Sequence, residues 1–81
     1  MYYVYIVKNL ITGKTYIGYT KDLKRRLKEH KYRNPELVYY EAYKSWQDAR
    51  ERERKLKQRG QTIRRLKERI KHSLKSEHRS T

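Results

Sequence analysis

Cysteine is absent from the 81 residues. That excludes disulfide staples and cysteine-built zinc sites, and nothing argues for an oxidising compartment. Phenylalanine is absent too, although nine tyrosines and one tryptophan are present. Proline occurs once and glycine three times, so each one carries weight as punctuation. There is no long apolar run, and the opening MYYVYIVKN has the character of a strand, not of a signal peptide or a membrane span. The expectation is a cytoplasmic protein with no membrane contact. Its length suits one small domain, expected over residues 1–74, with a polar and frayed tail over 75–81.

What the chain has in excess is positive charge: +14 net, with 40% of residues charged. A domain needing only solubility has no use for so large an excess of one sign. A polyanionic partner does, because each phosphate contact releases counterions. Nucleic acid is therefore the expected partner, DNA first and RNA as the other choice. An anionic membrane is disfavoured because the aromatics lie in strand-like runs, not on a basic amphipathic helix.

Tyr2 to Val7 reads as a strand and Asn9 to Lys14 as a turn centred on Thr12-Gly13. Lys14 to Tyr19 reads as a second strand, so an antiparallel hairpin is expected. Alternation sets Tyr3, Tyr5 and Val7 on one face and Val4 and Ile6 on the other, with the core-facing side left open. Gly18 is expected where the second strand ends, serving the turn or a close backbone approach. Thr20 or Asp22 can cap the basic helix that follows. There Leu23 and Leu27 share a stripe, with Arg26 and His30 at its seam. Lys24, Arg25 and Lys28 point elsewhere, as expected of side chains that track phosphates.

Lys31 to Glu36 reads as a polar connection holding Pro35, and Leu37 to Tyr43 as a third strand. Ser45 with Asp48 resembles a capping box. In the next helix Trp46, Ala49 and Leu56 form an apolar stripe with Glu53 inside it and Glu51 opposite. A carboxylate in such a stripe is costly unless it is paired or bound to a cation. Periodicity leaves both uses open. Gly60 is expected to stop that helix. Ile63, Leu66, Ile70 and Leu74 recur at helical spacing in a last helix.

Taken in order, Tyr3-Val4-Tyr5, Tyr16-Ile17-Gly18, Asp22-Leu23, Arg26, His30, Ala49, Glu53 and Leu56 resemble the GIY-YIG nuclease domain over nearly the whole chain. The likeness is strongest to small stand-alone bacterial members and extends to the N-terminal domain of excision-repair incision subunits. Tyr3 stands where the first motif has glycine. Tyr19 follows YIG where the incision subunits have lysine, so charge would come from Lys14, Lys21 or Arg25. The resemblance implies an α+β fold, a three-stranded antiparallel sheet with helices packed around it. It also implies one divalent cation, Mg²⁺ or Mn²⁺, held by Glu53, with oxygen ligands and retained water.

By the same resemblance, Tyr5 or Tyr16 would be the general base or its relay, with nearby positive charge favouring its phenolate. Arg26 would bind the phosphoryl oxygens and His30 the phosphate or the nucleophile. Lys14, Lys21, Lys24, Arg25, Lys28 and Lys57 are the expected nucleic-acid contacts. The implied activity is metal-dependent DNA endonuclease in repair or recombination, directed by DNA structure or by a protein partner. Two other readings remain: a nucleic-acid-binding module of the same fold with little cleavage, and a basic RNA- or ribosome-associated protein. Each site residue alone has an ordinary use, as sheet tyrosine, solvated helix charge or ion-pair partner. The whole series is harder to assign that way.

Overall fold

The first β-branched and aromatic run forms the central strand of the sheet. A computed structural model of the protein describes residues 1–29 and 35–75. In it strand β1 (Tyr2–Asn9) lies between β2 (Thr15–Thr20) and β3 (Pro35–Tyr43), both antiparallel to it, in the order β2-β1-β3. Being central, β1 is buried on both faces: Val4, Tyr5, Ile6 and Val7 are each 5% exposed or less.

The β1–β2 turn is closed locally. Gly13 takes a φ of 77°, and its N–H donates to the Asn9 carbonyl at 2.7 Å. The Asn9 side-chain oxygen accepts from the backbone of Ile11 and Thr12 at 2.8 and 3.0 Å. That is the side-chain turn chemistry of asparagine, with glycine supplying the left-handed residue.

Pro35 and Glu36 belong to β3, not to the connection expected there. Proline is tolerated because it is the first residue of an edge strand, with Asn9 as its partner. A bulge interrupts the β1–β3 register between Ile6 and Val7, leaving Val38 as the extra residue.

Helix α1 (Leu23–Glu29) uses both expected cap residues. Thr20 Oγ1 accepts from the Asp22 N–H at 3.0 Å, and Asp22 Oδ1 accepts from the Arg25 N–H at 3.1 Å. The helix borders the Tyr3/Tyr5 face, where Leu23 and Leu27 line a groove with Tyr3 and Tyr40. Tyr3 and Tyr40 meet edge to face at 6.0 Å.

The core lies on the other face. Val4 and Ile6 pack with Ala49 and Leu56 of α2 (Trp46–Gln58) and Leu66 of α3 (Gly60–Arg69). Ser45 caps α2 through Gln47 instead of Asp48: its Oγ accepts the Gln47 N–H at 3.2 Å and bonds the Gln47 side chain. Trp46 is 49% exposed and leaves the expected stripe, because it sits in the first turn just past the end of β3. Gly60 does not stop α2. The break is at Arg59, in extended conformation with its N–H on the Lys55 carbonyl, and Gly60 begins α3. A second break at Ile70 separates α3 from the short α4 (Lys71–Lys75), so the expected last helix is two. Residues 76–81, most of the expected tail, lie outside the described residues.

Candidate active site

Gly18 is the residue on which the site turns. It lies inside β2, two residues before its end, directly opposite Tyr5 in the register. A methyl group placed there would stand 2.3 Å from the Tyr5 ring carbon that bears the hydroxyl, and 2.3 Å from the hydroxyl oxygen. Of the two uses foreseen for this glycine, the structure shows close approach, and by a neighbouring ring instead of backbone. The missing side chain lets Tyr5 lie across β2.

The Tyr5 hydroxyl then sits in a mixed field. Burial pushes its pKa above the ordinary tyrosine value. The Arg26 guanidinium pulls it down, while Glu53 and Glu29 push it further up, and the net direction is upward. This corrects the expectation that positive charge would carry the hydroxyl toward its phenolate. Nearby positive charge, from Arg26, does favour the phenolate, but burial outweighs it and Glu53 and Glu29 add to burial.

Tyr5 from β1, Tyr16 and Gly18 from β2, Arg26 from α1, and Glu53 and Lys57 from α2 line one cleft of about 340 Å³. Helical phase separates the two adjacent arginines of α1 as their spacing suggests. The Arg26 side chain is 43% exposed and borders the cleft, while Arg25 is 77% exposed. Both pair with Glu29 at 3.4 Å. Tyr16 is 52% exposed at the cleft wall. His30 lies outside the described residues.

Glu53 is 16% exposed, against 53% for Glu51, so it does occupy the inner face of α2. Lys57 Nζ stands 3.1 Å from one Glu53 oxygen and Arg50 Nε 3.6 Å from the other. Arg50 in turn lies over the Tyr19 ring, 5.3 Å from its centroid. The i−3 and i+4 spacing of these cations was visible in the chain, and it marks them as the carboxylate's partners. Of the expected phosphate-tracking residues, only Lys57 reaches the cleft. Besides Arg26, positive charge at the cleft wall comes from Lys57 and Lys8, not from Lys14, Lys21 or Arg25.

The donor set fits a hard cation only in one way. Among the described residues no group of three His, Cys, Asp or Glu could hold a metal. Glu53 is a single carboxylate at the wall of an open cleft. Mg²⁺ is commonly held by one or two carboxylates while water and a substrate phosphate complete its shell. The site is compatible with that mode and offers no all-protein cage.

A second polar cluster escaped the sequence reading. Glu41 lies between Tyr39 and Tyr43 on one face of β3 and accepts a hydrogen bond from each hydroxyl. It also meets the Arg52 guanidinium of α2 at 3.0 and 3.1 Å. Burial by itself would raise the Glu41 carboxyl, but Arg52 and the two hydroxyls outweigh it and hold the pKa below the ordinary glutamate value. Burial and the same carboxylate push Tyr43 up to about 12. The alternation Tyr39-Glu41-Tyr43 was legible. Its Arg52 partner depends on how α2 crosses the sheet.

A family model described as the GIY-YIG catalytic domain matches residues 1–68. No curated protein and no solved structure matches the chain.

Proposed function

The chain belongs to the GIY-YIG catalytic-domain family, a family of nucleases, and from that we propose that it is a metal-dependent DNA endonuclease acting on branched, flapped or otherwise distorted DNA. The observation that carries the proposal is that Tyr5, Tyr16, Arg26 and Glu53, from four different elements, converge on one cleft.

The residues divide the work of phosphodiester hydrolysis. Arg26 forks onto the non-bridging phosphate oxygens, where charge grows as the attacking water oxygen bonds to phosphorus and the P–O bond to the leaving oxygen breaks. Tyr5 orients that water through its hydroxyl, and its phenolate fraction, small at neutral pH in this field and growing as pH rises, takes the water's proton. Tyr16, at the cleft wall, contacts the nucleophile or the phosphate beside it. Glu53, which is paired with Lys57 and Arg50, would hold one Mg²⁺ or Mn²⁺ through its carboxylate. When bound, such a cation supplies positive charge for the phosphoryl and leaving oxygens.

Incubating supercoiled, flapped and branched DNA with the protein in Mn²⁺ or Mg²⁺, against a chelator control, tests this reading. Metal-dependent nicking is expected. A specific observation favours one other reading: Glu53 is already satisfied by two cations, as suits a module that binds nucleic acid without cutting it. Salt-sensitive binding with no nicking in either metal would select that module.

A further inference from the structure

Tyr16 stands at the junction of three depressions. It lines the cleft, a groove floored by Ile17, Leu56 and Ile63, and a further groove by the Gly13 turn. Lys57 is shared by the first two and Lys67 by the last two. Shared lining residues thus set the three side by side from the cleft along the free edge of β2 to Lys14.

The charges on this path are of two kinds. Lys57 is paired with Glu53, and Lys8 donates to the Leu74 carbonyl at 2.7 Å. Lys14 and Lys67 are exposed and have no acidic partner among the described residues. Elsewhere Arg25, Arg26, Arg50, Arg52, Arg54, Lys55 and Lys71 meet carboxylates, whereas other cations, Lys21 and Lys24 beside α1 among them, meet none among the described residues. What sets Lys14 and Lys67 apart is that they share a groove wall with Tyr16. Cations left free along a groove, with an exposed tyrosine ring between them, match what an unpaired strand requires. Its phosphates follow the charge and its bases have open faces to stack. A duplex keeps those faces inside.

We propose that one unpaired DNA strand leaves the cleft along the β2 edge, its phosphates held by Lys67 and Lys14 and a base stacked on Tyr16. The inference rests on the cleft being the cutting site and specifies that a single-stranded arm adjoins the scissile bond.

The test is binding of a labelled oligodeoxythymidylate of about 20 nucleotides in chelator, across a series of salt concentrations. K14Q/K67Q is expected to lose about tenfold in affinity, and its log–log salt slope to shrink by about 1.4, for two phosphate contacts. Tyr16→Leu is expected to lose about tenfold, and Tyr16→Phe, which keeps the ring, clearly less than Tyr16→Leu. K21Q/K24Q removes equal charge beside α1 and is expected to cost at least about fivefold less than K14Q/K67Q. Equal losses from the two double variants would reveal a diffuse field and overturn the track. So would a hairpin duplex that binds more tightly than the single strand and loses as much in K14Q/K67Q. Because these measurements need no metal, failure of wild type to cut DNA would count against the nuclease reading alone.

Discussion

Tyr5 and Gly18 are one unit, and the unit is steric. Gly18→Ala puts a methyl group where the Tyr5 ring lies. Because the ring is buried and hemmed in by β1 and β2, it cannot swing aside cheaply. We expect a loss of about 1–3 kcal/mol in urea unfolding, and a fall of about 100-fold in cleavage as the hydroxyl moves. Full activity in G18A would contradict the placement of Tyr5. Tyr5→Phe, by contrast, should fold normally and cut about 100-fold more slowly.

The same residue sets a pH dependence. A tyrosine pKa raised above 10 leaves very little phenolate at neutral pH, and that fraction grows tenfold per pH unit below the pKa. Single-turnover cleavage should therefore climb between about pH 6 and pH 9, with the climb lost in Tyr5→Phe. A plateau beginning near neutrality would show that another group takes the proton. The YIG run was readable in the chain. That its glycine makes room for a ring on the neighbouring strand was not, because the strand register joins residues that are distant in sequence.

At the level of elements, α2 is attached to the sheet by apolar packing of Ala49 and Leu56, by the Arg52–Glu41 cluster and by Arg50 over the Tyr19 ring. Glu41 has a folded pKa below its ordinary 4.5. It therefore adds stability that is fully present above that pH and is lost as pH falls through the folded value. Tyr43 runs the other way. Raised to about 12, its contribution is complete below the ordinary value of 10.0 and is lost as pH rises toward 12. Glu41→Gln removes the common partner, leaving Arg52 half-buried and unpaired. Chemical unfolding at pH 7 should show a loss of about 2 kcal/mol, with a flatter acid limb than wild type. An unchanged acid limb would mean that the cluster contributes nothing.

Strand and helix positions follow closely from alternation and helical phase. The failures are at breaks: Gly60, Pro35 and the interruption at Ile70. Glycine and proline mark an element boundary, but which side of it they fall on is settled by edge position and packing. Trp46 shows the related limit, since phase gives the side of a helix but not whether the sheet extends beneath it.

For the whole molecule, the chief fact is a charge of +14 carried with eight ion pairs among the described residues. Nucleic-acid affinity should fall steeply between about 50 and 200 mM salt, linearly on log–log axes, whatever the sequence bound. An affinity indifferent to salt would remove phosphate contact as the basis of binding. Composition made the polyanionic partner legible. It could not show which cations are committed to carboxylates, because those pairings depend on helix faces and on elements meeting in space.

The central claim is that a single carboxylate, Glu53, turns a basic tyrosine-lined cleft into a phosphodiesterase. Single-turnover cleavage of branched DNA in Mn²⁺ by wild type and by Glu53→Gln, with matched circular dichroism and matched DNA binding in chelator, tests it most directly. The expected result is metal-dependent cutting by wild type and a loss of at least about 1,000-fold in Glu53→Gln, with binding retained. Cutting by Glu53→Gln at the wild-type rate would contradict the account.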